Sequence, residues 1–185
     1  MSDKDFVSNY LDDFSSLLKS NENLVNRLIE VKEILLDVKK NKSKVMIFGN
    51  GGSAAIASHF SVDLTKTANI RSTNYNEADL ITCFSNDYGY ERWVEKAIDF
   101  YSDENDVLIL ISSSGESKNM INACKFAKKK KFSKIITFTG HKEGNSLSKN
   151  GDINFWINSN IYNVVENAHQ VWLLSIIDLV INKEK

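Results

Sequence analysis

The 185-residue sequence predicts an α/β fold, a five-stranded parallel sheet covered by helices on both faces, and three observations carry that prediction. Short runs of continuous apolar character, as in strands buried on both sides, alternate with longer segments of helical period. Two of these runs end in loops rich in glycine or serine that lead directly into helices, the order of a βα unit. A pair of amphipathic helices stands ahead of the first strand.

The elements follow in order. Phe6, Tyr10, Leu11, Phe14, Leu17 and Leu18 recur at helical spacing, as do Leu24, Leu28, Ile34, Leu35 and Val38, so residues 3–40 form two helices. Ser20 and Asn21 break them, with Asn21 able to cap the second. Their apolar stripes must be buried either on the sheet or against another subunit. Residues 45–48 form the first strand and residues 53–66 a helix, followed by a polar loop over 67–78. The apolar run 80–84 reads as the second strand, with a turn at 85–91 and a helix at 91–100. Strands at 107–111, 135–138 and 153–157, a helix from Ser117 to about Lys130 and a long closing helix over 163–182 complete the chain. No linker or internal repeat divides it, so residues 1–185 are expected to form one domain.

Composition narrows the function. With 42% hydrophobic and 25% charged residues the chain is an ordinary globular sequence, and its net charge of −1 creates no field for nucleic acid or anionic membrane. The lysine run 128–131 reads as the solvated end of a helix. The charged start lacks the apolar centre of a signal peptide, and the most apolar stretch, 171–181, is interrupted by Ser175 and Asp178. Cys83 and Cys124 lie in apolar contexts, which suggests two buried free thiols in a reducing compartment, the cytoplasm.

The loop from Gly49 to Ser53 is a candidate phosphate cradle. Glycines let the backbone turn sharply and approach a ligand, and the first amides of the following helix lack internal acceptors at its positive end. A dinucleotide site would need a second strand ending in an acidic residue about 20 positions on, which residues 68–78 do not supply. No lysine follows the loop as a nucleoside triphosphate site requires. A glycine turn required only by packing also fits this loop taken alone. The second loop offers Ser112, Ser113, Ser114 and Ser117 beside free backbone amides, so a phosphate can be held by neutral groups. At one edge of one sheet, the two loops argue for a phosphorylated small molecule. On the helix after the first loop, His59 and Asp63 stand four residues apart and share a face. That spacing suits two ligands of one metal, an acid/base pair, or a plain surface pair.

The segments 49–53 (Gly-Asn-Gly-Gly-Ser), His59-Phe60, 86–90 (Asn-Asp-Tyr-Gly-Tyr), 111–117 (Ile-Ser-Ser-Ser-Gly-Glu-Ser) and 137–140 (Thr-Phe-Thr-Gly) resemble the sugar isomerase (SIS) domain of the phosphoheptose isomerases, in order and over nearly the whole chain. The resemblance implies a flavodoxin-like three-layer α/β/α sandwich and a homotetramer with sites between subunits. It also implies isomerisation of sedoheptulose 7-phosphate to D-glycero-D-manno-heptose 7-phosphate for surface-polysaccharide precursors. By the same resemblance the phosphate lies in the cradle of Gly51, Gly52, Ser53, Ser112, Ser113, Ser114 and Ser117, with Asn50 and Asp87 as further substrate contacts. His59 matches the family's first zinc ligand, and Asp63 matches a glutamate that both binds zinc and acts as base.

The closing helix departs from the family, which carries Gln-x-x-His there and a second histidine five residues further on. This chain has Glu166 and His169 at the first part and Leu174 in place of the second histidine. The expected arrangement is therefore a zinc or other divalent ion at His59, Asp63 and Glu166, with His169 as the replacement acid. The altered positions also suit a non-catalytic SIS protein that senses a phosphosugar or binds a partner, or an isomerase of another phosphosugar. His141 reads as an exposed loop residue. The closing helix is apolar on nearly every face, which calls for cover beyond one sheet face and hence for an oligomer.

Overall fold

In the computed structural model, which describes residues 1–182, the strands are Val45–Phe48 (β1), Ser72–Thr73 (β2), Val107–Ser112 (β3), Lys134–Thr139 (β4) and Ile153–Trp156 (β5). They form one sheet in the order β2-β1-β3-β4-β5, every pairing parallel. The helices are Asp3–Leu17 (α1), Glu22–Asn41 (α2), Gly52–Lys66 (α3), Ala78–Tyr88 (α4), Trp93–Tyr101 (α5), Lys118–Ala127 (α6) and Tyr162–Asn182 (α7). Successive side chains of a strand point to opposite faces, and here each face has its own core. Val45, Ile47, Val107, Ile109 and Ile111 join one cluster with residues of α2, α3 and α7. Met46, Phe48, Leu108 and Leu110 join the other with residues of α5 and α6. This double burial is why β1 and residues 107–111 of β3 are apolar at every position, and each such side chain contributes roughly 1.5–3 kcal/mol. The result is the three-layer sandwich expected.

The second strand is where the sequence reading and the structure part. Residues 80–84 lie in the helix α4, not in a strand, because Leu80, Ile81 and Phe84 meet one core face while Thr82 and Cys83 are exposed. Thr82 donates its hydroxyl to the carbonyl of Ala78 one turn back, at 2.7 Å. Cys83 is accordingly an exposed thiol, whereas Cys124 is buried and its thiol is pushed up to about 11 by desolvation. The true second strand is β2, two polar residues at the sheet edge inside the predicted loop.

The leading helices differ in how far they are buried. Asn21 accepts the Leu24 N–H at 2.9 Å and caps α2, which buries Val31, Leu35 and Val38 in the chain's own core. Helix α1 has no buried residue and leaves Phe6, Val7 and Leu11 exposed. Helix α7 is long and apolar enough, by composition, to cross a membrane, yet nine of its residues are buried here, among them Val165, Leu173 and Ile176.

His169 belongs to that buried face of α7. It is fully enclosed, its Nε2 donates to the Thr139 carbonyl at 3.1 Å, and its ring meets Phe138 and Trp172. Nδ1 is buried without a partner, and burial lowers the imidazole from its ordinary value near 6.5 to about 4. The unfolded chain therefore takes up a proton on His169 between about pH 6.5 and 4 that the folded chain refuses, and stability falls as pH is lowered through that window. Denaturant titrations at pH 7 and pH 4.5 should show His169→Gln losing less stability on acidification than the unsubstituted protein, by up to about 3 kcal/mol.

Candidate active site

The carboxyl end of β1 is followed by a loop that has no room for side chains. A Cβ on Gly49 would come within 2.5 Å of the Ser53 backbone, and Gly51 adopts φ +54°, the left-handed region that favours glycine. The Gly51 carbonyl accepts the Ala54 and Ala55 N–H groups at 3.0 and 3.2 Å, which starts α3. No side chain caps this helix, so the amides of its first residues, Gly52 and Ser53, face the positive end of the dipole without an intrahelical acceptor. Ser53 is buried against the turn.

The carboxyl end of the adjacent strand, β3, carries the second loop. Ser112 and Ser113 are buried, and the Gly115 N–H closes a turn onto the Ser112 carbonyl at 2.9 Å, with Gly115 at φ +69°. Ser112 donates its hydroxyl to Ser117 at 3.0 Å, and Ser114 accepts the Glu116 N–H at 3.2 Å. The chain after β4 braces this loop: Gly140 N–H reaches the Ser113 carbonyl and Leu147 N–H the Gly115 carbonyl, both at 2.9 Å. Glu116 accepts the Ser146 N–H at 2.9 Å, and hydrogen bonds from the Ser146 hydroxyl and then from this N–H hold its carboxyl below the usual range.

A reciprocal amide pair joins the first loop to α6. Asn50 Nδ2 donates to Asn119 Oδ1 at 3.0 Å, and Asn119 Nδ2 donates back to Asn50 Oδ1 at 2.8 Å. The Tyr90 hydroxyl adds a third bond, donating to Asn50 Oδ1 at 2.9 Å. The structure thus brings Asn50, Gly51, Gly52 and Ser53 together on one loop and Ser112, Ser113, Ser114 and Ser117 on the other, at the ends of neighbouring strands. Asn119 and Tyr90 escaped the sequence reading. Asn119 lies two residues beyond the serine loop, and its polar side chain at a buried helix position was the available signal.

His59 and Asp63 share the exposed face of α3, with Nε2 3.3 Å from Asp63 Oδ2. On the other side of the ring, Gln170 Nε2 lies 3.5 Å from His59 Nδ1. The set is satisfied when the Gln170 amide donates to Nδ1 and the Nε2–H donates to Asp63. Gln170 is a third residue the sequence reading missed. Glu166 lies one turn before it on α7, packed against the start of α3: a Cβ on Gly52 would sit 2.1 Å from its Oε2. Desolvation there raises the Glu166 carboxyl above its ordinary value. Asp87 lies in the last turn of α4, exposed, and its carboxylate accepts from Asn86 and Cys83 rather than from either loop. His169, proposed from sequence as the acid, is sealed in the core against Thr139 and is not brought into this group. His141 is half-buried rather than exposed, its ring against Tyr162.

These donors do not compose a zinc centre within one chain. Zinc sites take four ligands, or three and a water. Among the described residues no three His, Cys, Asp or Glu side chains converge as metal ligands. His59 and Asp63 provide two donors that already face each other, Glu166 meets the helix about two turns away at Gly52, and Leu174 provides none.

Two cavities matter for a ligand. One of 290 Å³ adjoins the first loop, lined by Asn50, Gly51, Ser58, Asn76, Tyr90 and Trp93 among others. A larger one of 730 Å³ lies away from both loops, between the α1–α2 junction and β5, beside Arg27, Trp156 and Trp172. The smaller cavity touches the polar groups that converge on the strand ends, and it carries the functional argument.

Residues 9–140 match the family model described as SIS domain. The phosphoheptose isomerase of Aliarcobacter butzleri is 30% identical over 183 residues, covering 96% of this chain and 96% of that protein. The phosphoheptose isomerase of Buchnera aphidicola subsp. Schizaphis graminum is 32% identical over 189 residues, covering 98% and 96%. The structure of phosphoheptose isomerase GmhA from Neisseria gonorrhoeae superposes with a TM-score of 0.89 over 97% of this chain and 98% of that one, at 24% identity, a likeness of fold. With the strand order, the paired loops and these matches in hand, the chain belongs to the SIS-domain family of the phosphoheptose isomerases.

Proposed function

We propose that the protein is a sugar-phosphate isomerase that converts sedoheptulose 7-phosphate to D-glycero-D-manno-heptose 7-phosphate, in the supply of heptose for surface polysaccharide. One observation supports this reading above the others: two loops of small residues, one opening an uncapped helix and one bearing four serines, leave adjacent strands side by side. Such a pair holds a phosphate dianion by amide and hydroxyl hydrogen bonds and by the helix dipole. The relatives named for this activity match along nearly their whole length.

The reaction moves hydrogen between C1 and C2. A base takes a proton from C1 while the C2 carbonyl oxygen gains one, giving an enediol; protonation at C2 and loss of the O1 proton give the aldose. In this reading Asp63 is the base. With His169 in the core, His59, whose Nε2–H faces Asp63, is the group placed to exchange a proton with the sugar oxygens. A divalent ion at His59 and Asp63 would need donors from outside this chain, and no step here is assigned to one.

The homotetramer with sites between subunits draws support from the exposed Phe6, Val7 and Leu11 of α1 and from the apolar groove of Val25, Leu28, Ile29 and Leu179 between α2 and α7. A cytoplasmic setting agrees with the near-neutral charge and the biosynthetic role of this reading. Leu174 and the buried His169 favour a second reading, a phosphosugar-binding protein without turnover. Isomerisation of another phosphosugar is the third.

Calorimetric titration with sedoheptulose 7-phosphate should show Ser114→Ala binding about tenfold more weakly, as loss of a hydrogen bond to a charged group implies. Unchanged affinity would remove the second loop from the phosphate site. Asp63→Asn should abolish aldose formation with the melting temperature retained, since Asp63 is partly exposed and outside the core. Wild-type turnover in that variant would exclude Asp63 as base.

A further inference from the structure

Besides the cavities at the β1 loop and at β5, one of 440 Å³ lies between α6 and the connection from β4 to β5, within the size range of small-molecule sites. Lys118, Ile121, Asn122 and Lys125 form one wall, at the i, i+3, i+4, i+7 spacing of a single helix face. Ser146, Lys149 and Asn150 form the other. The charged lining is therefore three lysines with no carboxylate, in a chain whose net charge is −1.

All three lysines are exposed, and among the described residues none of their ammonium groups has an ion-pair or hydrogen-bond partner. The neighbouring surface is built differently: Lys96 and Lys130 share Asp99, at 3.5 and 2.8 Å, and Lys131 meets Glu104. The carboxylate within the field of Lys149, Glu116, lies outside the lining and is taken by Ser146. Asn122 and Asn150 each spend one Nδ2 hydrogen, on the Glu91 and Ser146 carbonyls at 3.0 and 2.7 Å, which leaves each amide a second N–H. Ammonium and amide donors thus share one concave surface, and an anion satisfies both.

Lys118 and Lys125 stand about 10 Å apart along α6, two turns at about 1.5 Å per residue. One phosphate is short for that span, whereas a chain of linked phosphates matches it and leaves charge for Lys149. We propose that this cavity is a second anion site, separate from the two loops at the strand ends, and that it takes a small molecule carrying linked phosphates. The phosphate chain lies along α6 between Lys118 and Lys125, with Lys149 across the cavity and Asn122 and Asn150 donating to its oxygens. The proposal uses neither loop and stands apart from the phosphosugar reading.

The test is calorimetric titration of the full-length protein with inorganic tripolyphosphate and with adenosine triphosphate, at about 0.15 M salt, where screening over about 8 Å suppresses diffuse attraction. The triple variant Lys118→Gln, Lys125→Gln, Lys149→Gln should bind tripolyphosphate about tenfold more weakly than the parent protein. A control with Lys4→Gln, Lys40→Gln and Lys66→Gln removes the same charge from exposed lysines of α1, α2 and α3, and should stay within about twofold of the parent. Saturating sedoheptulose 7-phosphate should leave tripolyphosphate bound. No binding by the parent, unchanged affinity in the first variant, an equal loss in the control, or displacement by the sugar phosphate would overturn the site. Tighter binding of adenosine triphosphate than of tripolyphosphate would support the site as one for a nucleotide, and equal binding would support it as one that reads the phosphate chain alone.

Discussion

The structure depends on a reversal of direction at β1. Parallel strands must be joined by crossovers, and the chain places β2 on one side of β1 and then β3 on the other, so the helices after β1 and β3 pack on opposite faces and their first turns separate. A crevice opens at the strand ends where the order reverses. Both loops that border it were free to be built from glycine and serine because the strands beneath them are held by cores on both sides. The amide pair of Asn50 and Asn119 then joins the two borders, so the distance between the loops is set by hydrogen bonds as well as by the sheet.

The loop residues 49–53 and 112–117 that border this crevice include no cation. In the proposed phosphate site, helix termini and hydroxyls take the place of cations, so a phosphate would be fixed by geometry rather than by strong attraction for anions at large. The neutral 290 Å³ cavity meets α3 at Ala54, Ala55 and Ser58, while His59 and Asp63 lie further along the same helix, with His59 beside Gln170 of α7. One helix therefore presents uncapped amides at its start and the His59–Asp63 pair further along.

Much of this was legible in the sequence because the physical causes are local. Strands buried on both faces must be apolar throughout, so β1 and β3 announce themselves, and glycine at a left-handed turn before a helix marks the first loop. The misreading of residues 80–84 has an equally local cause: five residues of mixed apolar character satisfy either period, and burial of Leu80, Ile81 and Phe84 with exposure of Thr82 and Cys83 decided for the helix. β2 was hidden because two polar edge residues carry no pattern. The site was legible as two loops and as the His59–Asp63 spacing, but not in its tertiary partners. Whether His169 faced the site or the core depended on the rotation of α7 against β4, which no spacing along α7 encodes. Gln170 and Asn119 matter only through residues 111 and 69 positions away.

The measurement that tests the account most directly is a crystal structure with sedoheptulose 7-phosphate bound. The account places the phosphate between the first amides of α3 and the serines of 112–117, with C1 and C2 of the sugar toward Asp63 and His59. A sugar phosphate seated elsewhere, for instance in the larger cavity between the α1–α2 junction and β5 beside Arg27, would contradict it.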